Sequence, residues 1–304
     1  MEFGVTTGAN VGADPRRAGM LQQAVTEHIL GLADRAGYRA ALVDAATATV
    51  TTWPQFAHTV RSAGHGLSRR GLQGTDTVGV LVQDAASHAV AVHAIRAAGA
   101  VAAPVHPAAT AADAAARLKA CRARLLITSA ALAELAVQAA ERSWVRQVFA
   151  FGEAAGTTPF GSLLEAAKHG HHDHGTDPLG PDGSTWSVTG AMAGHILDQT
   201  DLTSADGAAF GSEDRTGPGL GWSDADEHRS WLTRRDVVVA APPCGDPNAY
   251  TALLDLALAA GATIVAAPAG RVAAAVRSYK GTAAIVPRGT GVPGLPARRI
   301  FTVG

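Results

Sequence analysis

A doubly wound α/β fold, with mostly parallel sheets and helices on both faces, follows from three features of this sequence. Short apolar runs alternate with segments of helical period. The runs are continuous, as in Val78-Gly-Val-Leu-Val82, which fits strands covered on both faces. The connections between them are short, as in chains of strand, helix and parallel strand. At 304 residues the chain can bury one large core or two ordinary ones. Four stretches are expected: a loose lead-in over 1–18, a first α/β lobe over 19–152, a long loop or boundary over 153–206, and a second α/β segment over 207–304 packed on the first.

The elements can be justified in order. Leu21, Val25, Ile29 and Leu32 recur at helical spacing and predict an amphipathic helix to about Ala36. Ala41-Leu-Val-Asp44 predicts a short buried strand. Thr52-Trp-Pro54 carries helix-start signals, and Phe56, Val60, Gly64 and Leu67 continue that helix to Arg70. Strands are then predicted at 78–82, 101–105, 125–128 and 148–151, with helices at 85–98, 111–121 and 130–142. Regularity fails between Gly152 and Gly207, where Lys168-His-Gly-His-His-Asp-His174 precedes a Gly- and Pro-rich run. Alternation resumes with strands at 237–241, 263–267, 283–286 and 299–303 and helices at 250–260 and 271–278.

Composition narrows the function classes. Hydrophobic residues make up 47% and charged residues 17%, with a net charge of −1, so nothing in the charge balance favours nucleic acid or an anionic membrane. No apolar run reaches the ~20 residues that span a bilayer. Met1-Glu-Phe-Gly-Val has neither the basic nor the apolar part of a secretory signal. Cys121 and Cys244 lie far apart and in no metal-ligand spacing. A soluble, cytoplasmic protein with reduced thiols is expected.

Several stretches in fixed order carry a family resemblance. Ala41-Leu-Val-Asp44 is followed by Thr51-Thr-Trp-Pro-Gln-Phe56, then by Gly66-Leu-Ser-Arg-Arg-Gly-Leu72 with Asp76-Thr-Val-Gly-Val80. Ala94-Ile-Arg-Ala-Ala-Gly-Ala-Val-Ala-Ala-Pro-Val-His-Pro107 is close to a motif written LRAGAVxxPxNP, and Leu125-Leu-Ile-Thr128 follows where that motif set has LIT. Asp236-Val-Val-Val-Ala-Ala-Pro-Pro243 and Ala252–Val265 continue the order. In these features the chain resembles the N-terminal part of adenylate-forming enzymes: acyl-CoA synthetases, aryl-CoA ligases and the adenylation domains of peptide synthetases. The resemblance implies the large domain of that fold. It also implies that the small C-terminal domain, the adenine motif, the ribose-binding aspartate and the C-terminal lysine would lie beyond residue 304.

The same resemblance implies where ATP would be held. The family's phosphate loop, SxGTTGxPKG, presents small residues and backbone N–H groups to the phosphates, with one lysine. Ser212, Thr216, Gly217 and Gly221 agree with it. Glu213 and Asp214 stand where a small residue and a glycine belong, Arg215 replaces a threonine, and Leu220 replaces the lysine. Two carboxylates repel a polyanion, and an aspartate in place of glycine hinders close backbone approach. Ser212, Arg215, Thr216, Gly217 and Gly221 thus mark a degenerate phosphate loop, and no cofactor is expected. The family's aromatic-acid-pocket histidine aligns near Gly245.

Other residues have the types needed for chemistry. Asp84, His88 and His93 follow a predicted strand end, where open α/β sheets place ligands, and His106 sits at the turn after another. They are the candidate acids and bases. His169, His171, His172 and His174 have ligand types suited to zinc or nickel, although a Gly- and Pro-rich segment seldom supplies the supporting contacts. No Ser-His-Asp order, paired carboxylates or GxGxxG turn is present. The expected function is that of a degenerate, truncated homologue that is not a self-sufficient ligase. It would act as an accessory or binding protein in a bacterial biosynthetic pathway, such as one making a natural product. A small acyl or aryl ligand, another protein subunit or self-association would supply its partners. Two alternatives stand beside it: an ATP-independent cyclase, isomerase or lyase using the old acyl pocket, and half of a split ligase completed in trans.

Overall fold

A computed structural model describes residues 15–74, 76–165, 232–296 and 299–303. The first helix, α1 (Pro15–Ala36), leads into β1 (Ala40–Asp44), β2 (Thr49–Thr52) and α2 (Trp53–Arg69). There follow β3 (Thr77–Leu81), α3 (Ala85–Ala97), β4 (Val101–Pro104), α4 (Ala111–Ala120), β5 (Ala123–Ser129), α5 (Ala133–Glu141) and β6 (Gln147–Phe151). The short β7 (Thr158–Pro159) and α6 (Gly161–Glu165) come next. The later part holds β8 (Val237–Ala240), α7 (Pro247–Ala259), β9 (Thr263–Ala266), α8 (Val272–Ser278), β10 (Ala283–Pro287) and β11 (Ile300–Val303).

Helix starts are set by side chains that take up free backbone N–H groups. Thr52 accepts from the Gln55 N–H while the Gln55 side chain accepts from the Thr52 N–H, a reciprocal capping box. Asp84 caps α3, Thr110 caps α4, and Asp246 caps α7 with Pro247 in the first turn. The Asp246-Pro247 pair starts α7 three residues earlier than the apolar periodicity predicts.

The strands form two sheets. One has the order β4-β3-β5-β6-β7 and is parallel throughout. The other has the order β11-β10-β8-β9-β1-β2, parallel except for the edge strand β2. Its β1 pairs with β9, Leu42 opposite Ile264, so the first-lobe strands β1 and β2 lie in the sheet built by the later segment. The two segments therefore share a sheet.

Alternate strand residues feed opposite faces, as the pleat requires. Val238 and Ala240 face the core with α1, α2, α3 and α7, whereas Val239 and Ala241 face α8. In the other sheet Val78 and Val80 meet α2 and α3, while Leu81 meets α4 and α5. The layers run α4/α5, five-stranded sheet, central helices, six-stranded sheet, α8. This is the doubly wound α/β architecture, and α3 is its middle, packing on strands of both sheets.

Two glycines permit the tightest contacts. A Cβ on Gly66 of α2 would lie 2.2 Å from the Leu163 carbonyl oxygen of α6, and one on Gly79 of β3 would lie 2.4 Å from a Leu118 methyl. Asp236, at the foot of β8, ties three strands. It accepts from Thr233 Oγ1 at 2.9 Å, from Thr282 Oγ1 at 2.7 Å and from Arg299 Nη1 at 3.3 Å. Burial alone would raise its pKa, but these donors bring it below the usual carboxylate value.

The elements β2, β7 and α6 were not among those expected from the sequence. They are four, two and five residues long, too short for a periodic signal. The loop Ser212–Gly221 and the histidines His169, His171, His172 and His174 lie outside the described residues. Among the described residues no helix is long and apolar enough to cross a membrane.

Candidate functional site

The carboxyl ends of β3 and β8 converge where α3 and α7 begin. Asp84 follows β3 and caps α3, its Oδ1 accepting from the Ser87 N–H at 2.7 Å. Beyond β8, Ala241-Pro-Pro-Cys244-Gly245-Asp246 turns into α7, with Gly245 at a φ of 58° that favours glycine. Tyr250 closes this corner. It is fully buried, donates its hydroxyl to the Ala241 carbonyl at 2.7 Å, and meets the His88 ring edge-on at 5.5 Å between centroids.

The groups at this corner are held neutral or already occupied. Burial pushes the Cys244 thiol up to about 11. The Tyr250 phenol is raised well above its ordinary value by burial, then by the nearby Cys244 and Asp84. Neither is an activated nucleophile at neutral pH. A protonated thiol, a satisfied phenol and prolines suit a neutral or apolar ligand part better than proton transfer. This corner contains Gly245, near which the resemblance would place the aromatic-acid-pocket histidine.

His88 and His93 lie deeper, 2% and 1% exposed, between α1, α3 and α7. His88 Nε2 is 2.8 Å from Thr251 Oγ1. Because Thr251 donates its own proton to the Pro247 carbonyl at 2.7 Å, His88 is the donor and carries its hydrogen on Nε2. His93 Nδ1 lies 2.9 Å from Thr26 Oγ1, and its Nε2 faces Asp255 Oδ1 at 3.4 Å without the alignment of a hydrogen bond. Arg96 donates to the other Asp255 oxygen at 2.7 Å, and both side chains are 4% exposed. Burial first, then the Arg96 charge, lowers His88 to about 3 and His93 well below its ordinary value. The Asp255 carboxyl is raised by burial, against the pull of Arg96. The cluster thus balances one negative and one positive charge with two neutral imidazoles. It fastens α3 to α1 and α7, and its histidines do not face solvent.

His106 is placed apart from that cluster. It follows β4 at the same sheet edge as Asp84, half-buried, and its Nδ1 accepts from the Ala108 N–H at 3.0 Å within its own turn. Of the four candidate acids and bases, Asp84 and His106 thus share a strand-end edge, while His88 and His93 enter the packed interior. Sequence reasoning missed Cys244 and Tyr250 as lining of this corner and Thr26, Arg96, Thr251 and Asp255 as partners of the histidines. Two of them left a signal: Asp255 in Leu253-Leu-Asp-Leu-Ala-Leu258 and Arg96 in Ala94-Ile-Arg-Ala97 are lone charges in apolar helix, which require buried partners. Among the described residues no group of three or more His, Cys, Asp or Glu could hold a metal ion.

Comparison with known proteins gives the fold its relatives. The family model of AMP-binding enzymes matches residues 32–176. No curated protein sequence matches. A long-chain-fatty-acid-CoA ligase from Archaeoglobus fulgidus is similar in structure, with a TM-score of 0.61 at 16% identity over 86% of this chain and 51% of that one. MbtA from Mycobacterium smegmatis has a TM-score of 0.61 at 20% identity over 91% of this chain and 52% of that one. A benzoate CoA ligase from Burkholderia xenovorans has a TM-score of 0.57 at 20% identity over 92% and 54%. The chain spans about half the length of these structures, and at such identities the likeness is one of fold. The AMP-binding match over residues 32–176 and the shared fold together bear out the resemblance to the adenylate-forming superfamily.

Proposed function

We propose that this chain is a non-adenylating member of its superfamily that binds a small acyl or aryl compound as an accessory protein in a bacterial biosynthetic pathway. The observation that carries the proposal is the charge of the segment aligned with the phosphate loop. Glu213 and Asp214 put two negative charges where a triphosphate would need small residues and N–H groups, and Leu220 removes the lysine. Arg215 returns one positive charge, which does not offset the loss. The donor set therefore does not fit ATP, and no step through a nucleotide is derived.

The ligand class rests on the corner between β3 and β8. Its neutral thiol, buried phenol and two prolines suit an uncharged acyl or aryl body, and the ligases of similar fold act on fatty acids and benzoate. The reading as an ATP-independent cyclase, isomerase or lyase draws no support from His88 or His93, which are sealed and uncharged.

The test is to incubate the protein with Mg·ATP and a panel of aliphatic and aromatic carboxylates, following pyrophosphate release and, separately, ligand binding by NMR line broadening. Binding of a panel member without pyrophosphate release is the expected outcome. Carboxylate-dependent pyrophosphate release by the protein alone would overturn it. Release only after a second polypeptide is added would favour the split ligase instead.

A further inference from the structure

We propose that the amino-terminal edge of the five-stranded sheet carries a separate binding site for a small aromatic phosphate. It lies at the opposite ends of the strands from the Asp84–Tyr250 corner. The five residues of β3 set the two apart by on the order of 15 Å. The proposal does not depend on the function proposed above.

The sheet builds this site from three neighbouring strands. Because β3, β5 and β6 are adjacent, with Thr77 opposite Ala123 and Leu125 opposite Gln147, the residues just before each strand come together. They line a cavity of about 540 Å³ with Asp76, Cys121, Arg122, Arg124, Trp144 and Arg146. That volume lies within the range of small-molecule sites, roughly 300–1,000 Å³.

The charges in the cavity are not equivalent. Arg124 is paired with Asp76, Nη1 to Oδ1 at 3.2 Å, and Asp76 is held in turn by the Gln73 N–H at 2.9 Å. The side chains of Arg122 and Arg146 are exposed and have no hydrogen-bond or ion-pair partner among the described residues. Two free guanidiniums therefore face a shared space, on a chain whose net charge is −1. A phosphate monoester carries close to two negative charges at neutral pH and accepts the forked donors of arginine. Trp144 supplies the second half of the recognition. It is 57% exposed, among the most exposed large hydrophobic side chains of the described residues, and it lines the cavity together with the strand-start arginines. An indole beside two arginines fits an aryl ring attached to the phosphate.

The proposal is tested by calorimetric titration of the protein with phenyl phosphate, methyl phosphate and inorganic phosphate at low ionic strength. Phenyl phosphate should saturate one site and bind more tightly than the other two, with affinity falling as salt is added. Arg122→Asn, chosen because Arg122 has a φ of 54° that asparagine tolerates, and Arg146→Gln should each weaken it by about tenfold or more. Trp144→Ala should abolish the preference for phenyl over methyl phosphate. Arg235→Ala, an exposed charge in the turn before β8, should change nothing, and circular dichroism should confirm that every variant is folded. Absence of saturation, equal affinity for phenyl and methyl phosphate, or undiminished binding by the folded Arg122 and Arg146 variants would overturn the proposal.

Discussion

Removing the Asp255 carboxylate is the most revealing single perturbation of this fold. Asp255 is the counter-ion of Arg96, and both side chains are 4% exposed. Asp255→Ala would leave the guanidinium buried, with its Nε already lacking a partner. Unit charges ~4 Å apart at an effective dielectric of ~20 attract by about 4 kcal/mol. Breaking one side of a buried pair typically costs about 3–5 kcal/mol. With a urea m-value of ~3 kcal/mol per molar, the unfolding midpoint should fall by roughly 1–2 M. The double variant Arg96→Met/Asp255→Leu should recover most of that loss, since it removes both desolvated charges and keeps apolar volume. Urea unfolding of wild type and the three variants, followed by circular dichroism, measures the whole cycle. If Asp255→Ala cost less than about 1 kcal/mol, or if the double variant were as unstable as the single one, the buried pair would not fasten α3 to α7 as described.

Two further predictions concern the same central layer. His88 has its pKa lowered from 6.5 to about 3, so below pH 6.5 the unfolded chain takes up a proton that the native state refuses. Stability should fall with decreasing pH by up to about 1.4 kcal/mol per pH unit from this group. His93 adds to that fall in the same direction, and the Asp255 carboxyl, raised by burial, opposes it as the pH falls through its raised native value. Thermal unfolding of wild type and His88→Leu between pH 7 and 5 should show a shallower acid slope in the variant; parallel slopes would refute the assignment. Gly66→Ala places a Cβ 2.2 Å from a backbone oxygen of α6, so α2 and α6 must separate, at a cost of about 1–3 kcal/mol. A melting temperature equal to wild type would show that the contact is not that tight.

The fold was legible because both signals that specify it are local. Continuous apolar runs such as Val78–Val82 mark strands covered on both faces, and Thr52 with Gln55 or Asp84 with Ser87 marks helix starts. Which strands pair was not legible. Nothing near Ala41-Leu-Val-Asp44 in the sequence tells that it will lie beside Thr263–Ala266, because that register comes from packing across more than two-thirds of the chain. The candidate site divided in the same way. Asp84 and His106 could be placed at strand ends from the alternation alone. His88 and His93 have the residue type of acids and bases, but the second sheet covers α3, and their partners Thr26, Thr251 and Asp255 come from two distant helices. Burial of this kind depends on tertiary packing, and single residue types do not report it.

Calorimetric titration with Mg·ATP tests the central claim most directly. It should be run on the wild-type protein and on an Arg122→Asn/Arg146→Gln variant, which removes the proposed aryl-phosphate site from the measurement. The account predicts no saturable heat in the variant, since on the proposed reading Glu213 and Asp214 would repel a triphosphate and Leu220 would not replace the lysine. Saturable micromolar binding that survives in the variant would contradict the proposal that this chain is a non-adenylating relative of the adenylate-forming enzymes.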